Sequence, residues 1–187
     1  MAEDLHLREQ KVSGELAYDG DFLSVQKDTV SLPSSHHATR EYIRHPGAVV
    51  IIPLLEDGSV LMERQFRYPL DRVFIEFPAG KIDPGEAELI CAKRELKEET
   101  GYVATEWQHL CTIHNAIAYS DEHLEVFLAR GLTAGEAKLD EEEFLETFTA
   151  TPEELLTWVR EGQITDVKTV IGVFWLEKYL KGEWTLP

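Results

Sequence analysis

Residues 48–55 are apolar without interruption, and Glu56-Asp57-Gly58 breaks the run with a hairpin turn signature. Residues 59–64 return with Val60 and Met62 alternating against polar neighbours, so the pair reads as two adjoining strands. Upstream, residues 22–32 form the first stretch with strand character, Pro33-Ser34-Ser35 makes a turn, and 38–44 form a second run. This pair ends at His45-Pro46-Gly47 and predicts a small N-terminal hairpin or sheet apart from the main body. Further strands are expected over 73–77, 103–113, 124–129 and 144–149.

The period changes over residues 86–100, where good helix formers place Leu89, Ala92 and Leu96 on one face. Gly101 then stops the helix as a C-terminal cap. Thr151-Pro152-Glu153-Glu154 opens another helix, with a threonine cap, proline at the first position and acids in the first turn. A last helix is expected over 166–180 with Val170, Phe174 and Leu176 on its apolar face. Strands interleaved with helices in this way predict an α+β fold, a mixed sheet between helices.

The chain has 187 residues, enough for one well-cored domain with a small appendage. The predicted division is an N-terminal β-strand region over 1–46 and a main domain over 47–187. No apolar run approaches the roughly 20 residues of a membrane span, and residues 1–10 lack the apolar centre of a secretory signal. Two cysteines, Cys91 and Cys111, form no disulfide framework, which points to a reducing cytoplasm. With 35 acidic against 18 basic residues the formal charge is −17, and no basic cluster is visible along the chain. Nucleic acid and anionic membranes are therefore poor partners, whereas a small anionic substrate is compatible if metal ions neutralise it.

One constellation carries chemistry: Gly80, Glu86, Arg94, Glu95, Glu98, Glu99 and Gly101. On a helix Glu95, Glu98 and Glu99 project from one side, away from the apolar stripe. Carboxylates gathered without matching cations repel one another, and hard divalent cations bound through oxygen relieve that cost. Gly80 and Gly85 bracket a loop able to bring backbone carbonyls near the same ion, and Arg94 reaches Glu98 one turn on. A solvated helix could be equally charged, but seven fixed and two loose positions match a defined pattern. At ordinary residue usage such a match arises by chance about once in 10⁹ starts.

That pattern is the box of the Nudix hydrolases, which the chain resembles over residues 80–102, with Leu96 and Tyr102 in its two apolar slots. The resemblance implies an α/β/α sandwich with a mixed β-sheet and hydrolysis of a nucleoside diphosphate linked to another moiety. It implies Mg²⁺, with Mn²⁺ as a substitute, held by Glu95, Glu99 and the carbonyl of Ala79. Glu98 becomes a further ligand or a support behind the ligands, while Glu86 and Arg94 brace the loop and helix.

Outside the box, Gln65-Phe66-Arg67-Tyr68-Pro69 and Glu76-Phe77-Pro78-Ala79-Gly80-Lys81 resemble the ADP-ribose pyrophosphatase branch. In that branch the N-terminal strands are exchanged within a homodimer. By the same resemblance Arg67 contacts substrate phosphates, its planar fork suiting phosphate oxygens. Glu76 reads a ribose hydroxyl or the adenine amine, or else packs at a strand end. Glu122 lies where the distal sugar is recognised. Asp140-Glu141-Glu142-Glu143-Phe144 resembles the acidic loop that supplies the base; Glu141 is the candidate, with Glu143 near metal or in its stead. Where ADP-ribose enzymes carry a proline this chain has Ile117, and Tyr119 is a residue associated with dinucleoside polyphosphate enzymes. The alternatives are therefore hydrolysis of dinucleoside polyphosphates or GDP-mannose, or a non-catalytic nucleotide-sugar sensor. The remaining histidines, His36, His37 and His114 among them, show no metal-ligand spacing and are expected to be structural or exposed.

Overall fold

The computed structural model describes residues 4–139 and 144–185. The chain folds as two compact units. The first comprises residues up to His45 together with Ala116–Glu122; the second comprises Pro46–Asn115 and the chain from His123 onward.

The first unit is a three-stranded antiparallel sheet of β1 (Gln10–Asp19), β2 (Ser24–Ser31) and β3 (His37–Arg44) in that order. β2 and β3 lie where the hydrophobic pattern puts them. β1 is a finding, because its sequence QKVSGELAYD alternates weakly and every residue of it is exposed. A strand whose faces are not buried in its own unit leaves no period-two signal to read. Asp28, buried on β2, accepts from Tyr42 at 3.1 Å and pairs with Lys11 of β1 at 2.7 Å. The segment 116–122 joins this unit by pairing beside β3, with Ile43 donating to the Tyr119 carbonyl at 2.8 Å and Asp121 donating back to Ile43 at 3.2 Å.

The second unit is built on a four-stranded mixed sheet, β7 (Ala79–Lys81), β4 (Ala48–Pro53), β9 (Leu124–Thr133) and β8 (Val103–Ile113), in that order. A second, antiparallel sheet has the order β10 (Leu145–Ala150), β5 (Val60–Arg67), β6 (Arg72–Glu76). β4 is buried along its whole length, which explains its uninterrupted apolar sequence. Val49 and Ile51 face one layer and pack with Cys91, Ala92 and Leu96 of α1 (Glu88–Thr100). Val50 and Ile52 face the other and pack with Leu155 of α2 (Pro152–Arg160) and with Val173 and Leu176 of α3 (Val167–Leu180). One helix thus covers one face and two cover the other, the expected sandwich.

Helix faces differ in detail from the expectation. On α1, Cys91 is fully buried, whereas Leu89 is 36% exposed. On α3, Phe174 is 44% exposed and the buried face runs through Thr169, Gly172, Val173 and Leu176. The reason is close approach: a Cβ on Gly172 would lie 2.6 Å from the Phe77 ring, so α3 seats its glycine, not a large side chain, on the sheet. The caps are as read. Thr151 and Glu154 form a reciprocal capping box on α2, worth about 1 kcal/mol. Gly101 ends α1 in the left-handed conformation at φ 76°. A Cβ there would also lie 2.6 Å from the Ala137 nitrogen, so glycine is needed for space as well as for dihedral.

Candidate active site

The box folds as the end of β7, a loop, and α1. β7 is a three-residue strand too short to announce itself in sequence; its pairing with β4 aligns Gly80 opposite Val49. The Glu95 carboxylate lies directly against Gly80, where any Cβ would come within 1.8 Å of the carboxyl carbon. Glu99 is 3% exposed and accepts the Ala79 N–H at 3.2 Å. Both carboxylates are therefore turned inward onto the β7 backbone. Glu98 is more open, its side chain 41% exposed.

Arg94 gathers the acids. Its Nε and Nη2 donate to the two oxygens of Glu86 at 2.9 and 2.8 Å, its Nη1 to Glu95 at 2.7 Å and to Glu98 at 3.1 Å. Nη2 also donates to the Lys81 carbonyl at 3.2 Å, so one guanidinium staples the loop to the helix. The Glu98 reach was expected; the Glu86 and Glu95 bonds are additional. The Arg94 hydrogen bonds, helped by the Asp83 N–H, hold the Glu86 carboxyl down at about 2, and the arginine's own value is raised by the same carboxylates. Burial pushes the Cys91 thiol up to about 12, so it is an inert core side chain.

A second cluster lies three residues upstream of Ala79, no more than about 10 Å of extended chain. Glu76, 2% exposed, accepts both Nε and Nη2 of Arg67, at 2.7 and 2.8 Å. Its second oxygen also accepts from Lys168 of α3, which pairs in turn with Asp166 at 2.9 Å. Burial pushes Glu76 up, but the Arg67 bonds and the Lys168 charge outweigh it and leave the carboxyl below its ordinary value. Arg67 faces Arg72 across the β5–β6 pair. The cluster is mixed in charge, two cations bonded to one carboxylate with Asp166 beside them, and strand pairing and α3 assemble it. Lys168 carries no local signal in the chain because its partner is 92 residues away.

Tyr119 and Glu122 belong to the first unit, in the segment beside β3. Tyr119 is 60% exposed, and the Glu122 carboxylate lies 3.6 Å from His45 Nδ1. Ile117 is 82% exposed. Glu141 and Glu143 lie outside the described residues. Lys138, shortly before them in sequence, donates to the Glu98 carbonyl at 2.9 Å.

Among the described residues Glu88, His123 and Glu125 also bring ligand-type atoms within 4.8 Å of one another. Glu125 is buried, with His109 Nε2 at 2.6 Å and the Thr112 hydroxyl donating at 2.8 Å. The spacing of the histidines in sequence does not disclose this grouping, because Glu88 stands at the start of α1, 35 residues before His123 in the chain.

The chain belongs to the Nudix family: the family profile described as NUDIX domain matches residues 44–170. It is a Nudix pyrophosphohydrolase of the ADP-ribose pyrophosphatase-like branch. It is 37% identical over 171 residues to the methanol dehydrogenase activator of Bacillus methanolicus, covering 90% of this chain and 92% of that one. It is 36% identical over 173 residues to the ADP-ribose pyrophosphatase of Bacillus subtilis (strain 168), covering 91% and 94%. The fold matches the crystal structure of an ADP compounds hydrolase with a TM-score of 0.85 at 22% identity, covering 94% of this chain and 96% of that one. Divalent metal is typical of the family. No helix among the described residues is long and apolar enough to cross a membrane.

Proposed function

We propose that this enzyme hydrolyses the pyrophosphate of a nucleoside diphosphate sugar, ADP-ribose to AMP and ribose 5-phosphate, with Mg²⁺. The observation that carries this reading is the pairing of two unlike clusters within one unit. Inward-turned carboxylates, Glu95 and Glu99, crowd the β7 backbone, and Arg67 offers a guanidinium held by Glu76, a few residues upstream of that strand. The donor set fits a hard cation: carboxylate oxygens gathered around one arginine, and a glycine where a side chain would fill the space. Glu95, Glu99 and the Ala79 carbonyl would hold Mg²⁺, with Glu98 beside them; Mn²⁺ has the same oxygen preference. Bound there, the ion supplies neutralisation of the pyrophosphate and acidification of a water.

The chain's own groups do the rest. Arg67 binds phosphate oxygens with the guanidinium edge that Glu76 leaves open, while Arg94 and Glu86 keep the carboxylates aligned. Glu141 takes the proton of the attacking water, and Glu143 is the substitute for that role; the Lys138–Glu98 bond, which ties the chain to α1 just before this segment, supports the assignment. Water adds to one phosphorus, the bridging oxygen leaves with the other phosphate, and two monophosphates result. Tyr119 and Glu122 are assigned to the sugar side. Ile117 departs from the proline of ADP-ribose enzymes and Tyr119 supports a second substrate reading, dinucleoside polyphosphates, with GDP-mannose as a further alternative. The two free thiols fit a reducing cytoplasm.

The test is product analysis with Mg²⁺ on ADP-ribose, GDP-mannose, diadenosine polyphosphates and deoxynucleoside triphosphates. Selective release of AMP and ribose 5-phosphate is expected, with kcat reduced about 10²-fold in Glu141→Gln, the scale of general-base catalysis. Preference for another compound would replace the substrate assignment; an unchanged kcat in the variant would move the base elsewhere. Ligand binding without cleavage would make the protein a sensor.

We also infer that the N-terminal region is a homodimerisation element, with exchanged strands. Val12, Leu16 and Tyr18 of β1 are 54%, 51% and 58% exposed, large apolar side chains on a strand with no buried residue, which a partner would cover. Sedimentation equilibrium should return twice the chain mass, and replacing Leu16 and Tyr18 by lysine should halve it. A monomeric wild-type protein would end this reading.

A further inference from the structure

We propose that Lys168 is a positioning residue for the reaction: through the buried Glu76 carboxylate it fixes Arg67 so that the outer edge of the guanidinium meets a substrate phosphate. The inference rests on the reading of Arg67 as a phosphate contact.

The three side chains are joined through Glu76, the most deeply buried of them. Lys168 is 11% exposed, Glu76 3% and Arg67 42%. Glu76 clamps one edge of the guanidinium, the Nε–Nη2 edge, in a bidentate pair. The Nη1 amino group and the second Nη2 proton remain on the outer edge, the geometry that grips two phosphate oxygens. That arrangement poses an electrostatic problem. A guanidinium bound to both Glu76 and a phosphate must divide one positive charge between two anions. Glu63, fully buried directly opposite Glu76 on β5, adds a further acidic side chain to the same strand pair. Without another cation, the buried carboxylates would hold Arg67 against the sheet and weaken its attraction for substrate. Lys168 provides that cation. Its ammonium bonds the second oxygen of Glu76, leaving the carboxylate compensated when Arg67 shares itself with phosphate.

Lys168 is itself held. Asp166 caps α3, accepting the Thr169 N–H at 3.1 Å and the Thr169 hydroxyl at 2.6 Å, and it pairs with the lysine ammonium. The Thr169 hydroxyl accepts the Phe77 N–H at 3.1 Å, so the start of α3 is pinned to the residue after Glu76. The lysine, the carboxylate and the strand end therefore form one rigid support, and Arg67 is the part of it that reaches solvent.

Steady-state kinetics with ADP-ribose and Mg²⁺ on four full-length proteins test this: wild type, Lys168→Met, Arg67→Ala and the double variant. Lys168→Met should raise KM about tenfold, the scale of one charge-assisted hydrogen bond, with a smaller change in kcat. In the Arg67→Ala background the same substitution should leave KM unchanged, because a residue acting through Arg67 has nothing left to position. A KM increase of equal size in both backgrounds, or none in either, would overturn the proposal. If Arg67→Ala alone leaves KM at the wild-type value, the reading of Arg67 as a phosphate contact fails, and the inference with it. Melting curves establish that each variant is folded. Should Lys168→Met not fold, Lys168→Gln keeps a donor without the charge and is read against the same two backgrounds.

Discussion

Glu99→Gln is expected to lower kcat by about 10³-fold or more, the loss that follows removal of a preorganised electrostatic group, while the protein remains folded. The substitution preserves shape and retains an oxygen that can accept the Ala79 N–H, so the hydrogen bond tying α1 to β7 need not be lost. What disappears is a negative charge in a place only 3% exposed, where it is worth most to a cation and where solvent cannot replace it. Activity across a magnesium titration, with melting temperature alongside, is the measurement. A near-normal rate at saturating Mg²⁺ would remove Glu99 from the mechanism. Collapse of the fold instead would show that the carboxylate is needed for structure.

Arg94→Gln should produce the largest stability loss, together with a fall in activity of about 10²-fold, the upper range for a group that orients metal ligands. Arg94 is the shared partner of Glu86, Glu95 and Glu98 and also holds the Lys81 carbonyl. Removing it leaves half-buried carboxylates facing one another. Breaking a fully buried pair costs about 3–5 kcal/mol; with Arg94 29% exposed, about 2–3 kcal/mol is expected. In a chain of this size that corresponds to a Tm lower by roughly 5–10 °C. The loss should depend on pH. Glu86 falls from its ordinary value of 4.5 to about 2 in the folded protein, chiefly through Arg94. A carboxyl depressed by folding stabilises fully above its unfolded value and loses that contribution as pH drops through the folded one. The gap between wild type and variant should therefore be widest above pH 4.5 and narrow toward pH 2. An equal Tm, or a gap that does not change with acid, would show that Glu86 and Arg94 are not energetically coupled.

Much of this protein was legible in its sequence, because the signals are local. An unbroken apolar run becomes a strand buried on both faces at β4. A threonine, a proline and two acids begin α2 through bonds confined to one turn. Gly80, Arg94, Glu95, Glu98, Glu99 and Gly101 announce a Nudix hydrolase because a helix and its preceding loop fix their spacing in the chain.

Other features required the chain to be folded. β1 gives no alternation to read because none of its residues is buried. β7 has three residues and exists only through pairing with β4. Leu89 lost its place in the core to Cys91, and Phe174 to Gly172, since helix periodicity selects a face but the sheet's shape selects which side chains fit. Glu76 was open between substrate contact and packing; the geometry occupies both its oxygens with Arg67 and Lys168. The class of chemistry was readable from the chain, because box spacing is a property of a few consecutive turns. Which charges meet depended on folding. Coulomb attraction acts through space, and residues 92 apart in sequence become neighbours only when a strand end and a helix start are packed together.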